Sequence, residues 1–167
     1  MDQIHKVSLP LKKGLRVNNL LIGLVISMSL FMGNVFAHSQ AKEVSHEKIK
    51  ALISKTFDQP NLKVITNPIV VEGKVAIADW IQGQKGGRAL LRRKHDEWEI
   101  IACGGAGFKD PNGVAAVGIS KEIATNITAK LMEAESKLNA QQVKQFDSFD
   151  GVVNMVHGEK RPPNSKH

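Results

Sequence analysis

An α+β domain is the fold this sequence predicts: an N-terminal helix, an antiparallel meander of four or five strands, then two or three helices packed on one sheet face. Three features of the apolar pattern predict it. Ile49, Leu52, Ile53 and Phe57 recur at spacings of three and four, as one face of a helix requires. Between Leu62 and Cys103 the period drops to two, in short runs rich in Val, Ile, Leu and Trp. Helical spacing returns after Asp110-Pro111, a pair suited to an N-cap and first helical position.

Ahead of the domain, Lys6, Lys12, Lys13 and Arg16 precede an uncharged apolar run from Leu20 to Phe36. Val35 and Ala37 then supply small residues where a signal peptidase cuts. Residues 1–37 are therefore expected to be a cleaved secretory signal, leaving His38 at the mature N-terminus of a periplasmic protein. An uncleaved anchor is the competing reading. The run falls short of the roughly 20 residues of a spanning helix and carries Gly23, Ser27, Ser29, Gly33 and Asn34, so no membrane insertion is expected after cleavage. Residues 38–156 are expected to form one domain, and residues 157–167, rich in Gly, Pro, Lys and Asn, a disordered tail.

Within the domain Ser45 is placed to cap the first helix, and Asp58-Gln59-Pro60-Asn61 to end it. Strands are predicted at Leu62–Thr66, Ile69–Val71, Val75–Gln82, Arg88–Lys94 and Trp98–Cys103. Turns fall at Glu72-Gly73, at Gly83 to Gly87 and at His95-Asp96-Glu97, which sets Ile81 opposite Leu90 and Leu91 opposite Trp98. The glycines from Gly104 to Gly107 are expected to form a turn at positive φ. Gly118 closes a short helix. Ser120 caps the next, whose stripe of Ile123, Ile127, Leu131, Ala134 and Leu138 reaches about Asn139. A last helix spans Gln141 to Phe146 and leads into Phe149, Val152 and Val153.

Charge and composition exclude some functions. The chain's formal charge of +7 falls to +4 without residues 1–37, and with no tyrosine and few aromatics it has little to stack on bases, so no nucleic-acid partner is expected. Arg88 and Arg92 fall on one strand face, either to receive an acidic partner or as a solvated surface. Trp80 and Trp98 read as anchors of the sheet core. Cys103 is the only cysteine, so no intramolecular disulfide can form.

No catalytic motif is complete. Ser45-His46-Glu47-Lys48 has the Ser-x-x-Lys spacing of penicillin-binding enzymes without their other motifs. Gly104 to Lys109 lacks the spacing and terminal Lys-Ser or Lys-Thr of a phosphate loop. Cys103 fits three readings: a small core residue, a soft-metal ligand suited to Cu(I), or a nucleophile. His38, with its free α-amine, can chelate one copper ion or simply be solvated. Met155 and His157 lie two apart, so an extended backbone puts thioether and imidazole on one side, a pairing that also suits copper.

From Ile49 to Gly105 the sequence resembles the copper uptake system-associated proteins, a family of small exported bacterial proteins. The matching residues include Thr56-Phe57-Asp58-Gln59-Pro60, Pro68-Ile69-Val70-Val71, Trp80 and Gln82-Gly83. Above all they include Gly86-Gly87-Arg88-Ala89-Leu90-Leu91-Arg92-Arg93, then Trp98 and Cys103-Gly104. Later blocks match in pattern at Glu133-Ala134, Gln142-Val143, Phe146 and Phe149-Asp150-Gly151-Val152-Val153. The resemblance implies a non-enzymatic periplasmic accessory associated with copper uptake, whose partner is an outer-membrane copper receptor or another uptake component. It brings no ligand set, so the metal candidates remain Cys103, Met155, His157 and His38. A metal-free interaction module, receptor-docking or inhibitor-like, is the second expectation, and a hydrolase working through Cys103 the third.

Overall fold

The computed structural model describes residues 40 and 42–155. By its contacts the chain divides into Met1–Lys42 and Glu43–His167, and the second unit carries the fold. The expected signal peptide with His38, and the expected tail with His157, lie outside the described residues.

Residues 43–57 are helical (α1) and bury Ile49 and Ile53, with Leu52 and Phe57 packed beside them. Ser45 sits inside this helix rather than capping it, because Glu43 and Val44 upstream are already helical and no Gly or Pro interrupts them. The end is tied down by polar groups. The Asp58 carboxylate accepts from Val64 N–H at 2.9 Å, and the Gln82 side-chain amide donates to the Phe57 carbonyl at 2.8 Å.

Five antiparallel strands follow: β1 (Ile65–Glu72), β2 (Val75–Gln82), β3 (Lys85–Lys94), β4 (Glu97–Gly104) and, after the helices, β5 (Val152–Asn154), adjacent in that order. The fold is α+β, as predicted, with local corrections. The two runs expected at Leu62–Thr66 and Ile69–Val71 are one strand, β1. Pro68 donates no hydrogen bond, and the register shifts between Thr66 and Ile69, which an edge strand tolerates.

The expected loop from Gly83 to Gly87 is a two-residue turn, Gly83-Gln84, so Ile81 pairs with Gly86, and Leu90 with Ile77. Gly86 and Gly87 serve β3 by their lack of a side chain. A Cβ at Gly86 would come within 2.7 Å of the Gln145 carbonyl oxygen, and one at Gly87 within 2.8 Å of the Trp80 ring. The next turn is His95-Asp96, both at positive φ (47° and 65°) as a tight hairpin demands, and it pairs Arg93 with Trp98 and Leu91 with Ile100.

Beyond β4, Ala106–Lys109 make one 3-10 turn and Pro111–Ala115 form α2, whose N-terminus is capped where the Asp110 carboxylate accepts from Asn112 N–H. None of Gly104, Gly105 and Gly107 has positive φ, against expectation. At Gly105 the constraint is proximity, because a Cβ there would collide with the carbonyl oxygen of Phe149. Helix α3 (Lys121–Glu135) is capped by Ser120 and ends before Asn139, since Asn139 caps α4 (Ala140–Asp147) by accepting from Gln142 N–H at 2.9 Å.

Both sheet faces are covered. On one, Ala76, Ala78, Ala89, Leu91, Trp98 and Cys103 pack with Ile49 and Ile53 of α1. On the other, Val75, Ile77, Leu90 and Ala102 pack with Phe108, Val114, Ile127 and Leu131 beneath α2 and α3. Trp98 is a core anchor, while Trp80 is partly exposed and meets Phe149 edge to face at 6.0 Å. Among the described residues no helix is long and apolar enough to cross a membrane.

Candidate functional site

Two of the four metal candidates are described. Cys103 pairs with Val153 across β4 and β5 and is buried in the apolar cluster beneath α1, where burial pushes its thiol up to about 11. A thiol held protonated is a poor nucleophile and gives up its proton to a metal reluctantly. Met155 follows β5 directly; its N–H donates to the Ile101 carbonyl at 2.9 Å and its side chain packs against the same cluster. The end of the sheet thus gathers thiol and thioether into one apolar patch. Among the described residues no group of three or more His, Cys, Asp or Glu is placed to hold a metal ion.

The basic strand differs from expectation. Arg88 and Arg92 do share a face, but helices cover that face. Arg88 is 0% exposed, and Arg92 donates to the Gly118 carbonyl at 3.1 Å. Arg88 can receive no acidic partner from outside because three carboxyls of its own chain surround it. Its Nε donates to Glu135 Oε1 at 2.8 Å and lies 3.6 Å from Asp79 Oδ1. Its Nη2 lies 2.7 Å from Glu135 Oε1 and 2.8 Å from Asp147 Oδ1. Lys109 stands beside them, 3.6 Å from Glu135 and 3.4 Å from Asp147, and the Phe146 ring covers the guanidinium at 5.9 Å.

Each member of this cluster is brought in by a different element. Asp79 and Arg88 are a cross-strand pair of β2 and β3, Glu135 is the last residue of α3, Asp147 the last of α4, and Lys109 ends the 3-10 turn. Burial, with the Glu135 carboxylate beside it and against the pull of Arg88, raises the Asp79 carboxyl to about 8. Glu135, Asp147 and Lys109 also wall an open groove of about 430 Å³, completed by Met132, Val143 and Lys144.

No sequence motif marks this cluster as a site. Its signal lay in the strand alternation, where Asp79 follows Val75 and Ile77 and Arg88 precedes Leu90 on an inward face. No family model matches the chain, and no curated protein or solved structure matches it significantly.

Proposed function

We propose that the chain is a non-enzymatic periplasmic accessory of copper uptake, exported by a signal at residues 1–37, which binds copper at the C-terminal end of its sheet and docks with an outer-membrane copper receptor or another uptake component. The observation that carries this reading is the seat of Met155, which β5 draws into the apolar patch that holds Cys103, two residues ahead of His157. A thioether beside an imidazole is a soft donor set suited to copper. The resemblance of residues Ile49 to Gly105 to the copper uptake system-associated proteins supports the same reading. Because burial holds the Cys103 thiol protonated, Met155 and His157 rank ahead of it as ligands, and His38 with its α-amine is a separate chelating end.

Titration of the mature protein with Cu(I) and Cu(II), its N-terminus verified by mass spectrometry, tests this. Stoichiometric, sub-micromolar binding is expected to survive Cys103→Ala and to be lost when Met155 and His157 are both replaced by Ala; loss in His38→Ala alone moves the site to the N-terminus. Weak binding that no variant changes refutes copper binding. It leaves the second reading, a metal-free docking module, which the half-exposed Val152 and Val153 of edge strand β5 favour.

A further inference from the structure

Arg88 and Lys109 bring two positive charges to the buried cluster, and Asp79, Glu135 and Asp147 bring three carboxyls. Asp79 is wholly buried and neither of its oxygens accepts a hydrogen bond; Glu135 Oε2 accepts none either, although Lys109 stands 3.6 Å away. Both carboxyls crowd one nitrogen, the Nε of Arg88. An ionised Asp79 would be a third negative charge, removed from water, with the Arg88 Nε it faces already donating to Glu135 and 3.6 Å away. As a neutral acid it has a donor to give to Glu135, and the charges balance at two against two.

We propose that Asp79 and Glu135 share one proton in the folded protein at neutral pH, and that this proton latches the α3–α4 corner onto the sheet. The charged groups facing Asp79 are Arg88 from β3, Glu135 from α3 and Asp147 from α4, with Lys109 of the 3-10 turn bridging the last two. Loss of the proton leaves one unmatched negative charge on the buried side of the cluster, where β2 and β3 meet α3 and α4. Alkalinity therefore loosens α3, α4 and the groove they wall, while the α1 side of the sheet is untouched. An aspartic acid in the unfolded chain ionises near 3.8 and the buried one near 8, so the folded protein holds the extra proton between those values. Stability conferred by that proton is lost as pH rises through the window, by as much as roughly tenfold in the folding constant per pH unit.

Asp79→Asn copies the shape and hydrogen-bond donor of the neutral acid and cannot ionise. Denaturant unfolding of wild type and Asp79→Asn from pH 5 to pH 9 is expected to show the wild-type folding constant falling relative to the variant's until about pH 8 and levelling above it. Parallel profiles overturn the proposal. If the variant does not fold, the carboxyl ¹³C resonance of Asp79 in the wild-type protein decides: a neutral-acid shift at pH 6 that moves to the carboxylate value near pH 8 supports the shared proton, and a carboxylate shift already at pH 6 overturns it.

Discussion

The two faces of the sheet are stabilised by different physics. Beneath α1 the strands present Ala76, Ala78 and Ala89, so a single helix approaches closely and Leu91, Trp98, Ile49 and Ile53 fill the space without a charge among them. Beneath α3 and α4 the same strands present Val75, Ile77 and Leu90 and then, further along, Asp79 and Arg88. The first face rests on apolar burial, which is non-directional and indifferent to pH. The second rests in part on matched charges that must be complete, because a buried ion stripped of its partner costs far more than the intact set contributes.

That contrast is broken most severely at Arg88. Arg88→Ala leaves Glu135 and Asp147 without their buried counter-ion and is expected to cost about 3 to 5 kcal/mol in denaturant unfolding. On the other face Ile53→Ala, which empties a fully buried side chain, is expected to cost about 2 to 4 kcal/mol by the same measurement. The comparison is sharpened by pH: the Ile53 loss is expected to be constant between pH 5 and pH 9, and the Arg88 loss to change with it. The smallest effect belongs to the exposed C-terminal end of α3, where Lys137→Ala, just past the helix, removes the pair to Glu133 at 3.1 Å and is expected to leave the unfolding midpoint unchanged.

The sequence carried the fold well where the signals were local. Val75–Gln82, the Asp110 and Ser120 caps, and the helical face of Ile49 and Ile53 are legible because propensity, capping and periodicity act over a few residues. Errors arose where a residue answers to a distant neighbour. Gly86 and Gly87 read as a loop, yet they are glycines because Gln145, Trp80 and Phe149 press against β3. Arg88 read as a surface charge because its partners at Asp79, Glu135 and Asp147 are scattered along the chain. Only the correct two-residue turn sets Asp79 opposite Arg88 and reveals the pair. Of the metal candidates, Cys103 and Met155 proved to share one cluster, which no spacing rule indicates.

The neighbour-to-neighbour order of the sheet also decides how the domain is assembled in time. Strands β1 to β4 are joined by short hairpins, so each ladder closes over a few residues as soon as its second strand is available. β5 is the exception: it must return to β4 after the whole helical excursion, and loop-closure entropy is then set against only three residue pairs. The meander is thus expected to form early, and β5 with Met155 to close last. Substitutions in β5 are therefore expected to raise chiefly the unfolding rate, and those in the β2–β3 hairpin to lower the folding rate, in denaturant-jump kinetics.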